Sequence, residues 1–183
     1  MEQQKTPHIL GIVPGRRVAG FAVLNDSGLQ NFGVKSLRTK KTDSEKFLAV
    51  NRLLCKLVSS FHPRAIIVLK PSPQKSTNFN LQLITFIRGL ASSRSCPLYF
   101  IGMKQIKAVL GTETPIRNHR QVAQALCANY RELTHYSPKG ESPVINDRER
   151  YYQPMFTAVG LAASYLKLLQ NEHKTNPDRQ ENN

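Results

Sequence analysis

Three pairs of cations follow three short apolar stretches, and each is placed where a phosphate could be met. Arg16 and Arg17 come directly after the Gly-x-x-Pro-Gly turn of GIVPGRRVAG (11–20), Lys70 and Lys75 follow AIIVL (65–69), and Lys104 and Lys107 lie in KQIKAVLG (104–111) just beyond PLYFIG (97–102). Arginine can make paired hydrogen bonds to a phosphate and lysine acts on it as a point charge, so the chemistry on offer is anion binding. Solvated surface explains most single Lys and Arg side chains. The six therefore matter only if the fold gathers them. Phe79 and Tyr99 could stack on unpaired bases, although an aromatic in an apolar strand or beside a helix more often belongs to a core.

The whole composition leans the same way. Twenty-six Lys and Arg against twelve Asp and Glu give a net charge of +14, which favours phosphate-rich partners through counterion release. Basic chains also include assembly subunits and proteins that bind acidic proteins or membranes. Other chemistries lack their residues. The five histidines, His8, His62, His119, His135 and His173, show no metal-ligand pairing. Cys55, Cys96 and Cys127 are odd in number and widely spaced, so they read as buried reduced thiols rather than a disulfide framework or zinc site. The glycines of 11–20 form neither a Gly-Lys phosphate loop nor a dinucleotide fingerprint. No cofactor is indicated. No run has the roughly 18 apolar residues of a membrane span and no apolar signal segment is visible, so a soluble intracellular protein, cytoplasmic or nucleoid-associated, is expected.

The elements that must position these cations follow from apolar periodicity. HILGIV (8–13), GFAVLN (20–25) and LQNFGVKSL (29–37) read as strands. Their short connections, NDSG (25–28) among them, demand an antiparallel meander. Thr42 and Glu45 have capping-box spacing before a helix carrying Phe47, Leu48, Leu54, Leu57, Val58 and Phe61. AIIVL is a strand buried on both faces. A helix over 78–92 uses Leu81, Ile84, Ile87, Leu90 and Ala91, PLYFIG is a strand, and Gly111 closes a short helix. Asn118 caps a further helix with Val122, Leu126 and Tyr130. Residues 133–153 read as a long loop, and a last helix runs from about Pro154, in its first turn, to Leu169. The expectation is one domain over 8–171, an extension at 1–7 and a disordered tail at 172–183. Its class is α/β, a mixed sheet of an antiparallel three-strand meander plus parallel strands, flanked by helices.

That order, with ILGIVPGRRVAGFAVL (9–24), FHPRAIIVL (61–69), PLYFIGMKQIKAVLGT (97–112), RQVAQAL (120–126) and TAVGLAAS (157–164), resembles the RuvC-type Holliday-junction resolvases of the ribonuclease H-like superfamily. The resemblance covers roughly residues 8–169. It implies a ribonuclease H-like fold and two-metal phosphodiester hydrolysis, which needs converging carboxylates. The family's Ile-Leu-Gly-Ile-Asp-Pro-Gly has Val13 at its acid. Six residues beyond Pro63, its glutamate position is Leu69, and the two acids of its last helix fall at Pro154 and Thr157. A one-residue slip would put Lys70 in place of Leu69, which restores no ligand. Asp147 or Glu149 in the preceding loop could in principle swing toward the site.

On these residues the expectation is a protein that is not an enzyme and that binds structured or branched nucleic acid, DNA in preference to RNA, without cutting it. It would act alone or as a subunit of a larger complex. The resembled resolvases are dimers because a junction has two symmetric cleavage points, so a homodimer is also implied, less firmly once cleavage is lost. Two other readings stay open, an active junction endonuclease with relocated acids and a protein-interaction module that reuses the sheet.

Overall fold

The computed structural model describes residues 7–72, 77–112, 114–138 and 146–175, the last four by backbone alone. Five strands and five helices are described, in the order β1 (Ile9–Val13), β2 (Val18–Asn25), β3 (Gly28–Ser36), α1 (Asp43–Phe61), β4 (Ala65–Leu69), α2 (Asn78–Ser93), β5 (Leu98–Ile101), α3 (Met103–Leu110), α4 (His119–Asn129) and α5 (Asp147–Thr175). A 3-10 helix over Arg131–Tyr136 follows α4. The strands form one sheet in the order β3-β2-β1-β4-β5. β1 and β3 pair antiparallel with β2, whereas β4 runs parallel to both β1 and β5. The expected mixed sheet with its meander is therefore present. At the β2–β3 turn the Asn25 side chain accepts from the Ser27 N–H and from Gln30, and Gly28 takes φ 120, a backbone region open mainly to glycine.

Alternation along the central strands divides the core in two. Ile9, Val13, Ala65 and Ile67 face α3, α4 and α5, while Leu10, Ile12, Ile66 and Val68 face α1 and α2. Thr42 and Glu45 make the capping box at α1, and Asn118 and Gln121 make one at α4. The buried stripe of α1 is Val50, Leu54, Leu57 and Val58, with Phe47 partly buried; Leu48 is half exposed instead of joining it. One position is about 100° of helix rotation, which carries Leu48 off the stripe. Leu81 leaves the α2 face in the same way, and Phe79 and Leu83 fill it.

The described parts of the region expected as a loop are mostly helical. α5 begins at Asp147, so Pro154 lies inside the helix rather than in its first turn. Asn146 is the cap, its side chain accepting from the Glu149 N–H at 2.8 Å. The helix continues to Thr175; residues 139–145 and the part of the expected tail beyond 175 lie outside the described residues, as do residues 1–6. α5 lies directly on the sheet because the facing residues are small. A Cβ on Gly11 would overlap the Ala158 carbonyl, and one on Gly20 the Pro154 carbonyl. Gly11 therefore serves helix packing as well as the turn that follows it.

Candidate nucleic-acid interface

The parallel strands β1, β4 and β5 all end at one rim of the sheet, and the topology brings the other cation-bearing loops there too. Val18 pairs with Ser36, and the Leu37 N–H donates to the Arg17 carbonyl at 2.8 Å, so the β1–β2 loop and the exit from β3 are held side by side. The Lys70 N–H donates to the Ile101 carbonyl at 2.9 Å, which aligns the exits of β4 and β5. At the usual strand spacing a five-stranded rim is about 19 Å wide.

Of the six cations singled out in the sequence, Arg16, Arg17, Lys70 and Lys104 are exposed on this rim. Arg16 is engaged there, its Nε 3.0 Å from Asp43, which also receives Lys46 at 3.4 Å. The Arg16 hydrogen bond holds the Asp43 carboxyl below its ordinary range. Lys107 is half-buried and donates its Nζ to the Arg117 carbonyl, tying α3 to the α4 entry. Lys75 lies outside the described residues. The rim also holds cations not singled out in the sequence. Arg38, Lys40 and Lys41 follow β3, and the Arg38 guanidinium lies 5.8 Å from the Tyr151 ring centroid. The run LRTKK directly after a strand was the signal for them.

Between the strand ends and the helix entries is a cleft of about 630 Å³. Pro14, Leu69, Pro71 and Ile84 form apolar walls, and Lys70, Lys104 and His119 stand around it. Three helices begin at it, since Asn80 is in the first turn of α2, Gly102 caps α3 and His119 opens α4. Helix N-termini carry partial positive charge, so cleft and rim share one sign. No carboxylate is among the described residues lining the cleft.

Three of the four positions at which the resemblance implies acids, Val13, Leu69 and Pro154, lie near one another. Val13 and Leu69 end adjacent parallel strands on the α5 side of the sheet, and Pro154 crosses Gly20, the pairing partner of Val13. Val13 is buried among apolar side chains, and the Thr157 hydroxyl donates to the Gln153 carbonyl at 3.0 Å. A hard divalent cation needs several converging oxygen ligands, and these four side chains do not provide them. Among the described residues, no group of three or more His, Cys, Asp or Glu could hold a metal ion. Asp147 and Glu149 are in the first turn of α5, not in a loop. Glu149 accepts from Arg120 at 2.8 and 2.9 Å, with the side chains 8% and 17% exposed, so this acid clamps α5 to α4.

Phe79 is core, packed beneath α2. Tyr99 is 43% exposed but lies on Tyr165 with ring centroids 4.8 Å apart. The Cys96 thiol is buried, donates to the Pro63 carbonyl and titrates above its ordinary range because of burial. No described helix is long and apolar enough to cross a membrane.

No protein-family model matches the sequence, and no curated protein sequence does. Solved structures do match. The Thermus thermophilus RuvC structure aligns over 90% of this chain and 96% of its own, with a TM-score of 0.67 at 15% identity. This is the RuvC fold. T. thermophilus RuvC in complex with Holliday junction substrate aligns over 91% and 96% of the two chains, with a TM-score of 0.68 at 16% identity. The yeast mitochondrial Holliday junction resolvase Ydc2 aligns over 93% and 84%, with a TM-score of 0.59 at 18% identity. The comparison corrects one expectation. The chain was expected not to be an enzyme, but the structures that share its RuvC fold include a resolvase and a RuvC bound to its substrate. Four substituted positions report which ligands are missing at those points.

Proposed function

We propose that this protein binds branched or otherwise structured nucleic acid, DNA in preference to RNA, across the basic rim at the carboxyl ends of β1, β4 and β5. The observation that carries the reading is the collection of Arg17, Arg38, Lys70 and Lys104 on one rim of a RuvC fold, beside a cleft whose described lining residues include no carboxylate. Phosphate contacts from these side chains supply affinity, and the shape of the strand crossing supplies selection. A rim about 19 Å across is about the width of one duplex arm. T. thermophilus RuvC bound to a Holliday junction supplies the analogue for the substrate class.

The test is a native gel with a labelled four-way DNA junction and a duplex of matched sequence, repeated over a series of salt concentrations. The junction should shift at lower protein concentration than the duplex. Charge reversal of Arg17, Lys70 and Lys104 together should reduce the slope of log affinity against log salt by about 3, close to one per phosphate contact. Binding of neither DNA, or binding indifferent to salt and to the triple reversal, would defeat the proposal. Denaturing gels of the same samples read strand scission separately.

A further inference from the structure

We infer that Tyr151 is a positioning residue: a ladder of rings holds it against the Arg38 guanidinium, so that Arg38 meets a backbone phosphate with its direction already set. The inference deepens the nucleic-acid reading of the rim and rests on it.

Arg38 is held at both ends. Leu37 is fully buried and its N–H donates to the Arg17 carbonyl at 2.8 Å, so the backbone leading into Arg38 is pinned beside Arg17. At the other end, the guanidinium carbon lies 5.8 Å from the Tyr151 ring centroid, within the roughly 6 Å at which an aromatic face attracts a cation. Tyr151 and Tyr152 pack edge to face with centroids 5.0 Å apart, Tyr152 and Tyr136 follow at 4.8 Å, and Tyr136 and Phe32 at 5.9 Å. The ladder leaves β3 at Phe32, crosses the 3-10 helix and the entry of α5, and returns to the exit of the same strand. The α5 entry that carries Tyr151 is itself fastened. Arg148 donates to the His135 carbonyl at 2.9 Å, and Glu149 accepts from Arg120.

The way a cation is held decides what it can still do. A ring engages the face of a guanidinium and leaves the in-plane N–H donors open to an anion, whereas a carboxylate takes the donors themselves. Arg16 shows the second case on the same rim, its Nε donating to Asp43 at 3.0 Å. Among the described residues no ion pair involves Arg38. Its fork is therefore fixed in place with its donors unspent, and such a fork favours one arrangement of phosphates, while a flexible lysine acts as a point charge. The Tyr151 contact adds affinity without adding charge.

The experiment titrates a fluorescently labelled four-way DNA junction with the full chain and follows anisotropy over a series of salt concentrations. Tyr151→Leu should weaken binding about two- to fivefold, the size of an exposed cation–ring contact. The slope of log affinity against log salt should stay as in the parent, because no charge is lost. Tyr151→Phe keeps the ring face and should bind as the parent does. Arg38→Gln should reduce the slope by about 1, and in that background Tyr151→Leu should change nothing further, since its effect passes through Arg38. Arg38 is exposed, so Arg38→Lys tests the same contact without disturbing the helix entry. It should keep the slope and fall to the affinity of Tyr151→Leu. The ring current of Tyr151 should move the Arg38 δ-methylene protons upfield in the parent and in Tyr151→Phe but not in Tyr151→Leu, which reads the placement without DNA. Tyr151→Leu or Arg38→Lys binding as tightly as the parent overturns the inference. So does a changed salt slope in Tyr151→Leu, or a loss that persists in the Arg38→Gln background. Any of these results beside salt-dependent junction binding by the parent leaves the rim standing, and a parent that binds no junction sinks both.

Discussion

Replacing Glu149 with leucine should cost this protein a large part of its stability, and the reason is burial rather than charge itself. Two ion pairs of nearly equal length make the contrast. Arg120 and Glu149 approach to 2.8 Å with side chains 17% and 8% exposed, while Arg16 and Asp43 approach to 3.0 Å with side chains 57% and 44% exposed. Water screens the second pair, so Asp43→Asn should fall within the scatter of ordinary surface substitutions. In the first, removing the acid leaves a guanidinium in a low-dielectric site between α4 and α5. Breaking such a pair costs about 3–5 kcal/mol. Glu149 also takes part in the Asn146 cap, accepting from its side-chain amide at 3.2 Å, so the upper part of that range applies. For a chain of this length, roughly 2–4 °C of melting temperature accompanies each kcal/mol, which gives a fall on the order of 10 °C. Urea unfolding and thermal melts followed by circular dichroism would measure it. The double variant Arg120→Met with Glu149→Leu should recover most of the loss, because apolar replacement of both partners removes the buried charge. A single-variant loss below about 1 kcal/mol, the level of an exposed pair, would refute the argument. So would a double variant no more stable than the single one. The cleft is linked to the same clamp, since His119 precedes Arg120 at the start of α4 and lines both this region and the cleft.

Gly11→Ala should destabilise by about 3 kcal/mol, at the upper end for overpacking, because its new Cβ would strike the Ala158 backbone carbonyl; normal stability in urea would show that α5 can retreat from the sheet. Thr42→Ala should cost about 1 kcal/mol, as for a lost N-cap, and melts of the two proteins would measure it. Backbone hydrogen bonds from Thr42 and Lys41 hold the Glu45 carboxyl below its ordinary 4.5. A lowered folded-state value means that this contribution is present above that pH and fades as the pH falls through the folded value. The parent's excess stability over Glu45→Gln should accordingly shrink on acidification, and an excess that grows would contradict the sign. Burial raises the pKa of the Cys96 and Cys127 thiols, so both should alkylate more slowly with iodoacetamide at neutral pH than in urea; equal rates would show that they are open to solvent in the native state.

Much of the fold could be read before any coordinates because its signals are local. The AIIVL strand lies at 65–69 as expected, and the boxes at Thr42 and Asn118 open α1 and α4. The turn at 25–28 joins the strands it was expected to join. The start of α5 was missed although Asn146 and Glu149 have cap spacing. The surrounding polar and proline-containing stretch outweighed that signal, and the polar first turn of α5 is stabilised by a distant partner, Arg120.

Residue type and spacing determined the element order, the basic character of the chain and the absence of carboxylates at Val13, Leu69, Pro154 and Thr157, since each is a property of a short stretch. Tertiary structure decided which cations share a surface. It placed Arg38 beside Arg17 through β2–β3 pairing and turned Lys107 inward to Arg117. It also made Glu149 a clamp and buried the Asn80 carbonyl oxygen without a hydrogen-bond partner. Those outcomes depend on which side chain meets which across long sequence separations. A periodic pattern specifies the buried face of an element, but the partner that meets an exposed charged group is set only when the helices have packed on the sheet.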